Sequence, residues 1–93
     1  MTSFLITELI VDPSTASWIL NRCYEDGLHA NLCIGFPYND GGGNVCAVRL
    51  DYSADDDLEI SKLLVLASER ASRFDMKPTA PPQLREGAKN ASL

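Results

Sequence analysis

The chain has 93 residues, 45% of them hydrophobic, and a formal net charge of −5 at neutral pH. That supports one domain, near the lower end of what buries a self-sufficient core, and excludes wholesale disorder. No apolar run reaches the roughly 20 residues that cross a bilayer, and an acidic chain repels phosphate backbones, so neither a membrane nor nucleic acid is expected as a direct partner.

In chain order, "SFLITELIV" (residues 3–11) is rich in β-branched and aromatic residues and predicts a strand. It is interrupted by Glu8 and has neither a basic lead nor a small-residue cleavage site, so it does not read as a signal peptide; the expected location is the cytoplasm, or the host cytoplasm if the source is viral. Asp12-Pro13 is an N-cap followed by proline at the first helical position, and it opens a helix that Gly27 closes. At about 100° per residue, Ala16, Ile19, Leu20 and Cys23 share the core-facing side. Trp18 falls roughly 140–160° from Ala16, Leu20 and Cys23, beside Ser14, Arg22 and Glu25. A Trp off the core face is either covered by another part of the chain or held for an intermolecular contact.

Next, "HANLCIGFPY" and "NVCAVRLDY" alternate around "NDGGG" and predict a β-hairpin with a loose tip. Ala30, Leu32, Ile34 and Phe36 share one face, as do Cys46, Val48, Leu50 and Tyr52, and both rows are expected under the helices. The opposite face carries His29, Asn31, Cys33 and Gly35 from one strand and Val45, Ala47, Arg49 and Asp51 from the other. Ser53 with Asp56 resembles a capping box for a second helix running to about Phe74, whose core stripe is Ile60, Leu63, Leu64, Ala67, Ala71 and Phe74. Leu58 and Val65 lie on its back. Residues 75–93, with three prolines in five positions, are expected as a flexible tail behind a domain of residues 1–74.

The order β-α-β-β-α predicts an α+β sandwich. Its three-stranded mixed sheet, in the order 1-3-2, would carry both helices on one face, as a ferredoxin-like unit lacking its last strand. The order 1-2-3 is the alternative. The first strand is apolar on both faces, which points to a homo-dimer or higher oligomer.

Chemistry is sparse. Cys23, Cys33 and Cys46 are an odd number without paired spacing, so free thiols are expected, with no disulfide framework and no metal or other cofactor. His29 and Cys33 share a face but stand about 13 Å apart along a strand, too far for a nucleophile and its base. "DDDLE" reads as a helix start, and "NDGGGN" lacks the Lys-Ser/Thr of a phosphate loop. RNA-recognition domains share this strand order, but the aromatic platform they stack bases on is missing.

A non-catalytic, oligomeric interaction protein is therefore expected, blocking or bridging a partner macromolecule through Trp18, Arg22, Leu58 and Val65. Its acidity suits a partner with a basic surface. Small inhibitors of nucleic-acid-handling complexes, phage-encoded anti-defence proteins among them, are similar to it in size and charge. The alternative is a small-molecule-sensing module with His29, Asn31, Arg49 and Asp51 around the ligand, at the sheet face or a dimer interface.

Overall fold

The computed structural model describes residues 3–77. They form β1 (Phe4–Val11), α1 (Pro13–Glu25), β2 (Ala30–Ile34), β3 (Tyr38–Asn39), β4 (Asn44–Ser53), a 3₁₀ turn (Ala54–Asp56), α2 (Asp57–Arg70) and β5 (Phe74–Lys77). The sheet runs β2-β4-β1-β5, with β3 pairing β4, and every pairing is antiparallel. The class is thus α+β, an antiparallel sheet with two helices.

The order 1-3-2 holds for the three expected strands, because α1 carries the chain from β1 across β4 to β2. Three features of the expectation are corrected. The sheet is five-stranded, it is antiparallel since parallel β1 and β2 never touch, and it does not lack its last strand. β5 pairs with β1 from Glu8↔Lys77 to Val11↔Phe74, so residues 75–77, expected in the tail, belong to the sheet. The rest of that tail, residues 78–93, lies outside the described residues.

Asp12 explains the missed strand. Its side chain caps α1, accepting from the Thr15 amide (3.1 Å) and the Thr15 hydroxyl (2.8 Å). It also accepts from the amides of Ser72 (3.1 Å) and Arg73 (3.3 Å), while the Asp12 amide donates to the Arg73 carbonyl (3.3 Å). The Ala71 amide still donates to the Ala67 carbonyl (3.0 Å), but the next two, of Ser72 and Arg73, find a tertiary acceptor in place of helical carbonyls, and α2 ends there. Ala71 is already extended, at φ −77° and ψ 141°.

At its other end α1 closes as a Schellman turn. Gly27, at φ +65°, donates to Tyr24, and Leu28 donates to Cys23 while packing on the core. Ser53 caps the 3₁₀ turn through the Asp55 amide rather than that of Asp56.

Both helices and one sheet face build a single core: Ala16, Ile19 and Cys23 from α1, Ile60, Leu63, Leu64 and Ala67 from α2, and Leu9, Val11, Cys46, Val48, Leu50 and Tyr52 from the strands. Several expected core positions are corrected. Leu20 is 47% exposed and Phe36 94% exposed, and Ile34 also reaches solvent. Between Ile34↔Val48 and Tyr38↔Val45 the edge strand advances four residues against three on β4. This is a bulge at Gly35-Phe36-Pro37, where Pro37 has no amide to offer, and it lifts Phe36 off the sheet. Val45, expected on the open face, is fully buried.

The hairpin tip is built, not loose. Asn39 and Asp40 accept from the amides of Gly41 (2.8 Å) and Gly42 (3.0 Å), so those amides already have acceptors. Asp40 also binds the Arg73 guanidinium through both carboxylate oxygens. A Cβ on Gly42 would stand 2.8 Å from Arg73 Nη1, so glycine there keeps the approach open. The hydrogen bonds from Arg73, then that from Gly42, hold the Asp40 carboxyl at a pKa of about 2, below the ordinary 3.8. A lowered folded-state pKa stabilises the clip above the ordinary value and loses that stabilisation as pH falls toward the folded one. Protection of the Gly42 amide, measured as its exchange rate relative to an unstructured peptide at the same pH, is therefore expected to fall between about pH 4 and pH 2, and Asp40→Asn should remove that change. Protection that stays constant in the native chain over this range would disprove the clip.

Candidate functional site

Two surfaces gather the residues singled out from the sequence. The first is the outer side of the helix pair. Leu58 (65% exposed) and Val65 (57%) lie two turns apart on the back of α2, turned away from the core residues Ile60, Leu63, Leu64 and Ala67, and Leu66 (43%) lies about 100° round the helix from Val65, on the flank. Leu66 and Arg70, one turn apart, carry this surface round to α1. There Trp18 lies half-buried against the core, with the Arg22 guanidinium 5.4 Å and that of Arg70 5.8 Å from its ring centre. Arg70 also donates to Ser14 Oγ (3.0 Å), tying the two helices together. Arg22 Nε is shielded from solvent and stands 3.7 Å from Asp26, beyond hydrogen-bond distance.

Trp18 is thus not stranded in water. Thr15 is fully buried, its hydroxyl held by Asp12, and so turns the buried arc of α1 toward Trp18 and away from Leu20. Placing Leu20 on the core-facing side, with Thr15 left out of it, shifted the centre of that arc toward Leu20.

The second surface is the open sheet face. Register aligns Lys77, Glu8, Arg49 and Cys33 across β5, β1, β4 and β2, with Asp51 beside Asn31 in a neighbouring row. Asn31, Arg49 and Asp51 line one shallow hollow, and His29 joins Asn31 and Asp51 in the next. Arg49 makes no ion pair within 4 Å among the described residues, although Glu8 is its register neighbour. The row presents two cations, one carboxylate and a thiol, all exposed, around a shallow hollow of about 180 Å³ that Glu8, Cys33, Arg49 and Lys77 line. Cys33 is exposed, whereas Cys23 and Cys46 are buried, and burial pushes the Cys23 thiol pKa up.

A third feature escaped the sequence. Thr7, Tyr52, Ser61, Leu64, Val65, Ser68, Phe74 and Met76 line an apolar groove of about 300 Å³ between α2 and the β5 edge. The Thr7 and Tyr52 hydroxyls meet at its floor (3.2 Å), and Tyr52 donates on to Asp57 (3.4 Å). Burial, foremost, pushes the Tyr52 phenol pKa up. The signal was present in "FDMK", where Phe74 and Met76 alternate with Asp75 and Lys77 at the period of a strand.

Among the described residues no three His, Cys, Asp or Glu side chains converge to hold a metal ion, and no helix is long and apolar enough to cross a membrane. No protein-family model matches the chain, and no curated protein is significantly similar to it.

Proposed function

We propose that this chain is a non-catalytic, acidic interaction protein on a ferredoxin-like βαββαβ frame, acting by occupying the surface of a partner macromolecule. The observation that carries the reading is the exposed pair Leu58 and Val65 on the back of α2, with Leu66 on its flank, continued through Arg70 to Trp18 and Arg22. Leu58 and Val65, on the back of a helix whose other side already fills the core, have no task in folding. They suit a helix that docks. The same surface carries the cations Lys62 (3.8 Å from Glu59), Arg22 and Arg70, so it is the net charge of −5 on the whole chain that favours a partner with a basic surface, met through long-range attraction. Blocking or bridging a nucleic-acid-handling complex fits such a surface, because the site on the partner would be one that ordinarily meets phosphate.

Leu58→Ser with Val65→Ser is the direct test, since both residues are mostly exposed and surface changes of this kind stay within about 0.5 kcal/mol of native stability. Affinity purification from the source cells should recover a stoichiometric protein with the native chain. It should lose that protein with the variant, and the captured complex should weaken as salt rises. Equal capture by both chains would refute this surface as the contact.

The hollow shared by Asn31, Arg49 and Asp51 favours a second reading, a small-molecule-sensing module. A nucleotide or amino acid that raises the melting temperature, an effect lost in Arg49→Ala, would establish it in place of the first.

A further inference from the structure

We infer that β2 is the seam of a symmetric dimer, in which two copies pair antiparallel about a two-fold axis at Leu32 and join their sheets into one. The inference goes beyond the interaction reading to the homo-oligomer expected from the sequence, and uses a different surface from that of α2.

β2 is an outer strand, so one side of its backbone has no partner among the described residues. Sheets ordinarily blunt such an edge with charge, above all lysine. The opposite edge does so, with Asp75 and Lys77 on β5. The β2 edge does not. From Gly27 to Asn39 there is no Asp, Glu, Lys or Arg in a chain where such residues make up 23%. Copies of a molecule with net charge −5 repel one another over most of their surface, and this uncharged edge is where they approach at least cost.

The backbone shows which groups are available. Gly35 donates to the carbonyl of its register partner Ala47 (2.8 Å). By the alternation of antiparallel ladders, Asn31, Cys33 and Gly35 therefore bond inward to β4, and Ala30, Leu32 and Ile34 turn their polar groups outward. The Ala30 amide is already taken by the Leu28 carbonyl (3.0 Å). A two-fold axis at Leu32 sets each Leu32 against the partner's Leu32 and each Ile34 against the partner's Ala30. Leu32 amides then donate to Leu32 carbonyls in both directions, and each Ile34 amide donates to the partner's Ala30 carbonyl. The one amide already engaged is the one left out.

Side chains agree with this register. Small Ala30 faces the larger, part-exposed Ile34, and on the helix side Leu20 (47% exposed) and Tyr24 (87%) overhang the same edge. Leu20, Tyr24, Leu28, Ala30 and Leu32 line one cleft there, ready to receive the matching residues of the second copy.

Light scattering coupled to size exclusion should give about 20 kDa, twice the 10.2 kDa of one chain. Tyr24→Glu with Ile34→Glu, which sets like charges against each other across the seam, should halve that mass with an unchanged circular dichroism spectrum. The register itself is read by Asn31→Cys. In this pairing residue 31 sits opposite the partner's Cys33 in a non-hydrogen-bonded pair, whose Cα separation of about 4.5 Å lies within disulfide range. Mild oxidation should therefore yield a covalent dimer on a non-reducing gel. A native chain that stays at 10.2 kDa overturns the inference. So does a dimer that survives the double substitution and gives no crosslink, because its contact lies elsewhere. Either result leaves capture by the α2 surface to be judged on its own assay.

Discussion

Asp12→Ala is expected to remove about 2–3 kcal/mol of folding stability and to lower the melting temperature by about 10–20 °C, at about 4–8 °C per kcal/mol for a domain of this size. Losing an N-cap alone costs about 1 kcal/mol. The remainder comes from the amides of Ser72 and Arg73, which share the same carboxylate and would lose a charged acceptor. Water can reach exposed Ser72, which keeps the total well below the sum of isolated charged hydrogen bonds. Asp12→Asn keeps an oxygen for the helix cap and should cost roughly half as much. Thermal and urea unfolding followed by circular dichroism separates the three chains, and a loss under about 0.5 kcal/mol in the alanine variant would show that Asp12 does not hold the α2–β5 turn.

The same carboxylate sets an acid limit. Partial burial pushes its pKa up, but hydrogen bonds from the Thr15 hydroxyl and from the Arg73 and Thr15 amides outweigh that, and the net shift is downward from the ordinary 3.8. A group whose folded pKa is depressed stabilises the fold above its ordinary value and ceases to do so as pH falls through the folded value. Native stability should therefore decline below about pH 4 more steeply than that of Asp12→Ala, whose deficit narrows as the native carboxyl takes up its proton.

Local pattern made most of the frame legible. Alternation placed the hairpin, Asp12-Pro13 and Gly27 bounded α1, and the crossover logic gave the order of the first three strands. What escaped depends on contacts between distant segments. α2 ends at Arg70 because Asp12, about 60 positions upstream, accepts the amides of Ser72 and Arg73, and nothing in "ERASRF" announces it. Once α2 was carried too far, Phe74 was read as helical and β5 disappeared, and with it the groove that Phe74 and Met76 help to line. The bulge at Gly35-Phe36-Pro37 had a cue in Pro37, but alternation alone carried Ile34 and Phe36 under the helices. On the open face, parity sufficed to bring Asn31, Arg49 and Asp51 together, since a strand's faces follow from its numbering once the core row is known.

Trp18 combines what sequence could and could not supply, and replacing it should separate a packing role from a docking role. Helical geometry set it apart from Ala16 and Cys23, yet the indole packs half-buried against the core, and only the second helix, folded beside it, shows where it rests. Fully buried Trp→Ala changes cost about 3–5 kcal/mol, and a half-buried ring roughly half of that. Its two guanidinium neighbours add a few tenths to about 1 kcal/mol each. Trp18→Ala is therefore expected to lose about 2–3 kcal/mol, and Trp18→Phe, which keeps a ring beneath Arg22 and Arg70, about 1 kcal/mol. The emission of the one Trp offers an independent check. It should lie to the blue of free indole in the native chain and move to the red in Arg70→Ala, as one covering side chain is removed. A Trp18→Ala chain of native stability would mean that the indole contributes nothing to its own fold and is held wholly for another molecule, whereas a destabilised chain that still captures its partner through Leu58 and Val65 would confine Trp18 to joining the two helices.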